Sequence, residues 1–375
     1  MRNPFKYGKE VSGEQFYDRE EDFKKLYRAL ESGSANVVMY APRRYGKTSL
    51  VKNVLAKFNE AGTDTIYFDL NLVENIERFC EEYTTALYSL AGKTTQVLNT
   101  ISRYLSHLHP VFSVGDKAKI SVKFDYGTKM TPSSISDVLN LVDKFAAERG
   151  KGPIVVAFDE FQEIGRLSPD LPLEGIFRSV IQSQQNVNYL FFGSRTHVLQ
   201  RMFGDHSRPF YRSAAVMKLD KPPEEESMRF IKARFAAYAV GIDDAVAERI
   251  VRESENVPYY LQQLGYYTFE SVLDGNRDWV EDSDIDAAIE VLLDRDSDYF
   301  LERVSNCSAA QRLVLSALAQ EPVKEFTEDY RRRHSLGVSA TVHAALKVVV
   351  ESGMVERDSK GYRIGDPFFA RYLRK

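Results

Sequence analysis

Ala41-Pro42-Arg43-Arg44-Tyr45-Gly46-Lys47-Thr48 lies between a short apolar run, residues 36–40 (Asn-Val-Val-Met-Tyr), and a helical pattern that starts at Lys47, with Leu50, Val51, Val54, Leu55 and Phe58 on one face. A strand, a glycine-containing turn and a helix in that order make a phosphate cradle of the form Gly, four residues, Gly-Lys-Ser/Thr. Backbone N–H groups of such a loop wrap phosphate oxygens, and the helix N-terminus adds a favourable dipole. On this reading Lys47 reaches the β- and γ-phosphates and the Thr48 hydroxyl ligates Mg²⁺. Ser49 follows in the first turn of the helix. Ala41 stands where the first glycine is usual, which is tolerable with a negative φ; Gly46, next to the phosphates, is retained. A Gly-Lys-Thr arising by chance is the bland alternative, and the strand-before, helix-after context counts against it.

Downstream, Ile154-Val155-Val156-Ala157-Phe158-Asp159-Glu160 is an apolar strand ending in two carboxylates. At the C-terminal edge of a parallel sheet such groups face the ligand crevice. Asp159 is expected to bind Mg²⁺ through water, and Glu160 to polarise the water that attacks the γ-phosphate. An acid pair after a strand is common by itself; its meaning comes from the cradle that precedes it. Further apolar runs at 65–70, 189–192 and 215–219 alternate with helical patterns at 19–30, 47–59 and 134–149. Strands apolar throughout, alternating with helices, predict a parallel sheet covered on both faces. Strands 36–40 and 154–158 are expected to be neighbours, bringing Lys47 and Asp159 into one crevice. Residues 73–110 read as helical, and 111–127 as a hairpin turning at Gly115-Asp116, with no chemistry of its own.

After Lys221-Pro222-Pro223 the pattern is helical to about Arg303. The final segment has a helix, helix, helix, hairpin rhythm. The expected domains are therefore 1–220, 221–305 and 306–375, consistent with a length of 375 residues. A content of 43% hydrophobic and 28% charged residues supports a globular core. No run of about 18 apolar residues suggests a membrane span, and the N-terminus lacks the apolar stretch of a signal peptide. Two distant cysteines, Cys80 and Cys307, fit neither a disulfide framework nor a metal site. A cytoplasmic protein is the simple expectation. Residues 306–375 carry 12 Lys/Arg against 8 Asp/Glu, whereas the whole chain is at −4. Only this region gives any charge support for nucleic-acid contact, and a solvated surface is the alternative.

Several motifs carry a family resemblance: Asn3-Pro4-Phe5, Phe16-Tyr17-Asp18-Arg19-Glu20, Asp159-Glu160-Phe161-Gln162, Phe192-Gly193-Ser194-Arg195, Pro209-Phe210-Tyr211-Arg212 and Asn256-Val257-Pro258-Tyr259-Tyr260-Leu261. Over almost its whole length the chain resembles the AAA-like archaeal-type ATPases of the STAND group of P-loop NTPases. The resemblance implies ATP and Mg²⁺ as ligands and an N-terminal segment, including Arg19, near the adenine; the family usually has Gly where Asp18 stands. It also implies a fourth-strand sensor, Ser194 first and Arg195 second, and an arginine, Arg212, that stabilises phosphate charge; a surface arginine is the alternative. Pro258 resembles the proline of the helical lid that approaches the nucleotide, with Asn256 replacing the usual glycine. Proline in a first helical turn is also ordinary helix-start chemistry.

The last segment resembles a winged helix-turn-helix. In that motif the third helix can enter a DNA major groove, here with Ser339, Thr341, His343 and Lys347 leading, while Arg331, Arg332 and Arg333 meet phosphates. Protein-interaction and autoinhibitory modules share the same fold, so DNA and a protein partner both stay open. His343 has no second ligand spaced to make a metal site. The leading expectation is an ATPase acting as a nucleotide-driven switch through this module. The alternatives are a DNA-binding regulator or mobile-element protein in which ATP orders the fold, and an interaction scaffold with little turnover. A kinase is disfavoured, because no acceptor site is readable and Glu160 suits water activation.

Overall fold

Five strands form one parallel sheet in the order β2-β5-β6-β1-β7. They are β1 (Val37–Tyr40), β2 (Thr65–Asp69), β5 (Ile154–Asp159), β6 (Val187–Gly193) and β7 (Ala215–Lys218). Two further strands, β3 (Val111–Val114) and β4 (Ile120–Lys123), make a separate antiparallel hairpin. The computed structural model describes residues 3–8, 19–90, 101–114, 120–125, 129–358 and 360–375. The expected Gly115-Asp116 turn lies outside the described residues.

Contacts divide the chain into two compact units. One is Arg19–Asp220; in the other, residues 3–8 join Lys221–Lys375. The first unit holds the sheet and the helices α1 (Glu20–Glu31), α2 (Lys47–Glu60), α3 (Ile76–Leu90), α4 (Pro132–Arg149), α5 (Leu173–Ser183) and α6 (Thr196–Gly204). The central strands β1, β5 and β6 are buried at every position, as strands covered on both faces must be. Pleat parity then sorts the side chains. Val38, Ile66, Phe68, Val156, Phe158, Tyr189 and Phe191 share one core with Phe79, Val138, Phe177, Leu199 and Phe203 from α3 to α6. The opposite face receives α1 and α2: Tyr27 stacks on Phe58 at 4.4 Å, and Lys52 Nζ lies 4.6 Å over the Tyr67 ring.

The expected adjacency of the strands at 36–40 and 154–158 is corrected: β6 lies between them, pairing with β1 through Val37–Tyr40 and with β5 through Ile154–Phe158. The cradle and the acid pair still meet, because α2 leaves β1 and crosses the sheet to pack on β2 and β5. The expected helical character of 73–110 is found in α3 (Ile76–Leu90), in residues 101–104 and in a short 3₁₀ turn at Ser106–Leu108; residues 91–100 lie outside the described residues.

The second unit contains α7 (Glu224–Ala236), α8 (Asp244–Glu253), α9 (Pro258–Asp274), α10 (Asp282–Arg295) and α11 (Ser297–Ser305). These are followed by α12 (Ala309–Gln320), α13 (Glu328–Arg333), α14 (Ser339–Glu351), the hairpin β8 (Val355–Asp358) and β9 (Gly361–Ile364), and α15 (Pro367–Arg374). Residues 3–8 pack within this second unit. Phe5 is buried against Phe230 and Phe235, at ring distances of 6.3 and 5.1 Å, and lies where any side chain at position 265 would collide, so Gly265 is required. Asn3 Nδ2 donates to Tyr266 O at 3.0 Å, fixing the segment on α9. α15 was not foreseen in the sequence. Its signal is Asp366-Pro367: Asp366 Oδ1 accepts from the Phe368 and Phe369 amides, and Pro367 opens the helix. Both cysteines are buried and unpaired with each other. No helix among the described residues is long and apolar enough to cross a membrane.

Candidate active site at the C-terminal edge of the sheet

Residues 41–46 leave the end of β1 and deliver the chain to the N-terminus of α2. Arg44 and Gly46 have φ of 70° and 84°, and no other non-glycine residue of the loop has a positive φ. Ala41 therefore keeps the negative φ that makes alanine tolerable there. A left-handed residue in every second place turns successive N–H groups into one concavity, a backbone nest for anions. Gly46, directly before α2, is the residue in this loop for which a side chain would be most costly. Lys47 is only 6% exposed, and its Nζ donates to Ala41 O and Pro42 O, both at 2.8 Å, which anchors the ammonium inside the loop. Arg43 and Arg44 are exposed at the loop rim, and Tyr45 is buried beneath it.

Arg19, at the start of α1, braces the loop from below. It is buried, and its guanidinium donates to Tyr45 O at 2.8 Å and to Asp220 O at 2.6 Å, with Asp22 as its ion-pair partner at 2.9 Å. These bonds give Arg19 a structural task beside the cradle rather than a free donor for a base.

Asp159 closes the site from β5. Odd-numbered residues of β5 face α2, so its carboxylate emerges on the side where that helix begins. Thr48 Oγ1 donates to Asp159 Oδ2 at 3.2 Å, Tyr67 Oη donates to the same oxygen at 2.6 Å, and the Glu160 amide donates to Oδ1 at 2.8 Å. Burial pushes the Asp159 carboxyl up to about 6; the negative charges of Glu160 and Asp69 add to this, while the bonds from Tyr67 and the Glu160 amide oppose it. A buried carboxylate beside a threonine hydroxyl is a donor set suited to a hard divalent cation, whose charge would offset the desolvation. Tyr67 carried no role in the sequence reading. Its signal was parity: on β2 it points to the same face as Asp159, with Asp69 paired to Asp159 in register.

Glu160 has φ 49°, a left-handed conformation unusual for glutamate, and this turns its side chain toward the end of β6. There Oε2 accepts from the Ser194 amide and from Ser194 Oγ, both at 3.1 Å, and from Gln162 Nε2. The first-choice sensor is thus bonded to the expected water-polarising acid. Arg195, the second choice, turns away to pair with Glu163 at 3.3 Å. Arg212 is exposed over the Tyr211 ring, 5.2 Å from its centroid, and among the described residues it pairs with neither Asp159 nor Glu160.

Pro258 opens α9 in the other unit. The preceding Asn256 has φ 54°, which asparagine tolerates where glycine is usual. Its amide is tied to Ser227 Oγ and Pro222 O, both at 2.6 Å. In the C-terminal segment Arg332 and Arg333 pair with Asp329, and Arg333 also with Glu321. α14 exposes Ser339, Thr341, His343 and Lys347 beside Val338 and Val348, while Val342, Leu346 and Val349 face inward.

Residues 16–264 match a family model described as an ATPase domain predominantly from Archaea, and residues 298–375 match a probable winged helix domain. A Walker-type ATPase of Pyrococcus abyssi superposes with a TM-score of 0.67 at 19% identity, over 99% of this chain and 100% of that one. The ORC2 protein of Aeropyrum pernix, solved as ADPNP-ADP complexes, superposes with a TM-score of 0.58 at 15% identity, over 95% and 91% of the two chains. At these identities the structures speak for the fold alone. No curated protein matches the sequence.

Proposed function

The chain belongs to the family of ATPase domains found predominantly in Archaea, and from that premise we propose that it hydrolyses ATP with Mg²⁺ at the edge of its sheet, in the STAND manner, as a nucleotide-driven switch acting through its winged helix. The observation that carries the reading is the convergence of Thr48 from α2 with Asp159 from β5, next to a Glu160 already bonded to Ser194. In this proposal the nest of residues 41–46 and the helix start at Lys47, Thr48 and Ser49 bind the phosphates. Lys47 exchanges loop carbonyls for phosphate oxygens. Thr48 and Asp159 would hold Mg²⁺, which supplies charge neutralisation for the phosphate oxygens. Glu160 takes a proton from the attacking water, and Ser194 holds the carboxylate in line. Arg19 keeps the loop in shape. Arg212 and Pro258 remain candidates for contact with nucleotide, and residues 221–305 and 306–375 are proposed as separate lid and winged-helix parts of one unit.

An interaction scaffold is the second reading, and one observation favours it over a DNA reader. Arg332 and Arg333 are engaged by acids, and α14 offers a nearly neutral face with Val338 69% exposed. The experiment for the leading reading is phosphate release from Mg·ATP by the purified full chain. Activity in the parent, and loss of both ATP binding and release in Lys47→Ala with unchanged circular dichroism, is the expected result. ATP binding by Lys47→Ala at parental affinity would remove the cradle from the account.

A further inference from the structure

Gln162 lies two residues past the catalytic candidate, in the 3₁₀ turn Phe161–Arg166 that follows β5. Its amide is packed in a specific way. Nε2 donates to Glu160 Oε2, while Oε1 is buried and has no hydrogen-bond partner. Oε1 rests against Gly193: a Cβ built there would overlap it and stand 3.2 Å from Glu160 Cα. The last residue of β6 is thus glycine where the Gln162 amide needs the space. A buried carbonyl oxygen without a partner is destabilising, which marks the place as one where position outweighs local stability.

The consequence falls on Glu160. Its Oε2 collects three donors, Gln162 Nε2 and the amide and hydroxyl of Ser194, whereas Oε1 accepts none among the described residues. A carboxylate gripped at one oxygen by donors from two sides cannot rotate freely, and its second oxygen is left to accept from water. Resting on the reading of Glu160 as the water-polarising acid, we propose that Gln162 is a positioning residue for ATP hydrolysis. It acts through Glu160, fixing Oε2 against Ser194 so that Oε1 presents a lone pair to the attacking water. Ser194 supplies the grip from β6 and Gln162 the grip from β5; either alone leaves the carboxylate a rotor.

The test is a double-mutant cycle in single-turnover hydrolysis of Mg·ATP by the full chain, with ATP affinity measured separately. Gln162→Met keeps length and volume and removes the donor. In the parent background it should slow the chemical step by roughly tenfold, a plausible loss for a misoriented base, while ATP affinity stays within about twofold. In a Glu160→Gln background the same change should cost little, because its effect runs through the carboxylate. Gln162→Asn, one methylene short of Glu160, should behave like Gln162→Met and serves if the methionine variant fails to fold. Parental turnover in a folded Gln162 variant overturns the proposal, as does an equal loss in both backgrounds. Parental turnover in Glu160→Gln alone would instead overturn the underlying reading of Glu160, and is distinguishable because it does not involve Gln162.

Discussion

Thr48 Oγ1 and Asp159 Oδ2 meet at 3.2 Å although 111 residues separate them in the chain. Their strands are not neighbours; β6 lies between. The meeting depends on two independent geometric facts: α2 crosses the sheet toward β5, and pleat parity sends Asp159 to the α2 face. Tyr67, on the same face of β2, caps the contact from the other side.

Asp159 gives a pH dependence with a defined sign. Its carboxyl is raised from 3.8 to about 6 in the fold, mainly by burial. Between those values the folded state holds a proton that the unfolded chain has released, so stability falls as pH rises through that window and levels off above it. Urea unfolding of the nucleotide-free protein from pH 4 to 8 should show Asp159→Asn gaining on the parent as pH rises to about 6 and running parallel to it above. A stability difference that does not change with pH would refute the burial argument.

Arg19→Ala removes the brace beneath the cradle and leaves the Tyr45 and Asp220 carbonyls without their partner. A destabilisation of about 1–3 kcal/mol is expected for buried groups left unsatisfied. ATP affinity should fall with it, because the loop loses its support. Arg19→Lys should rescue poorly, since an ammonium lacks the planar fork that reaches both carbonyls. Denaturant melts and nucleotide titration of the three proteins decide this; an Arg19→Ala protein with parental stability and affinity would mean that the brace is idle.

The sheet was legible because β1, β5 and β6 are buried on both faces and read as uninterrupted apolar runs such as Val155-Val156-Ala157-Phe158. Strand order was not, because nothing local in β6 announces that it inserts between β1 and β5. That Thr48 of the cradle and Asp159 at the end of β5 would share one crevice was readable from spacing and context. The left-handed turn at Glu160, which aims it at Ser194, was not, since glutamate carries no signal for positive φ. Nor does anything local at Gln162 announce its packing against Gly193. Residues 3–8 read as part of the first domain because they precede it, yet the pocket around Phe5 is made by Phe230, Phe235 and Gly265, far along the chain.

For the winged helix the structure sharpens a choice. Arg332 and Arg333 are held by Asp329 and Glu321, so DNA would have to compete with existing pairs. If the module reads DNA, replacing Arg331, Arg332 and Arg333 by alanine should weaken binding to all sequences and reduce the salt slope by up to about three phosphate contacts. Changing Thr341 and His343 should alter sequence preference instead. Fluorescence anisotropy of the full chain on random duplex DNA, at low and moderate salt and with and without ATP, makes the measurement. No binding at low salt in either state would leave the module as an interaction or autoinhibitory domain.

The central claim is that the cleft between the cradle and the acid pair hydrolyses ATP, with Glu160 as the group that polarises water. Single-turnover hydrolysis of Mg·ATP by the parent and by Glu160→Gln, at matched saturation, tests it most directly. The glutamine variant keeps the size and the contacts to Ser194 and loses the charge. It should bind ATP as the parent does and turn it over about 10²-fold more slowly or worse, as the loss of a positioned base predicts. Equal rates in the two proteins would contradict the account.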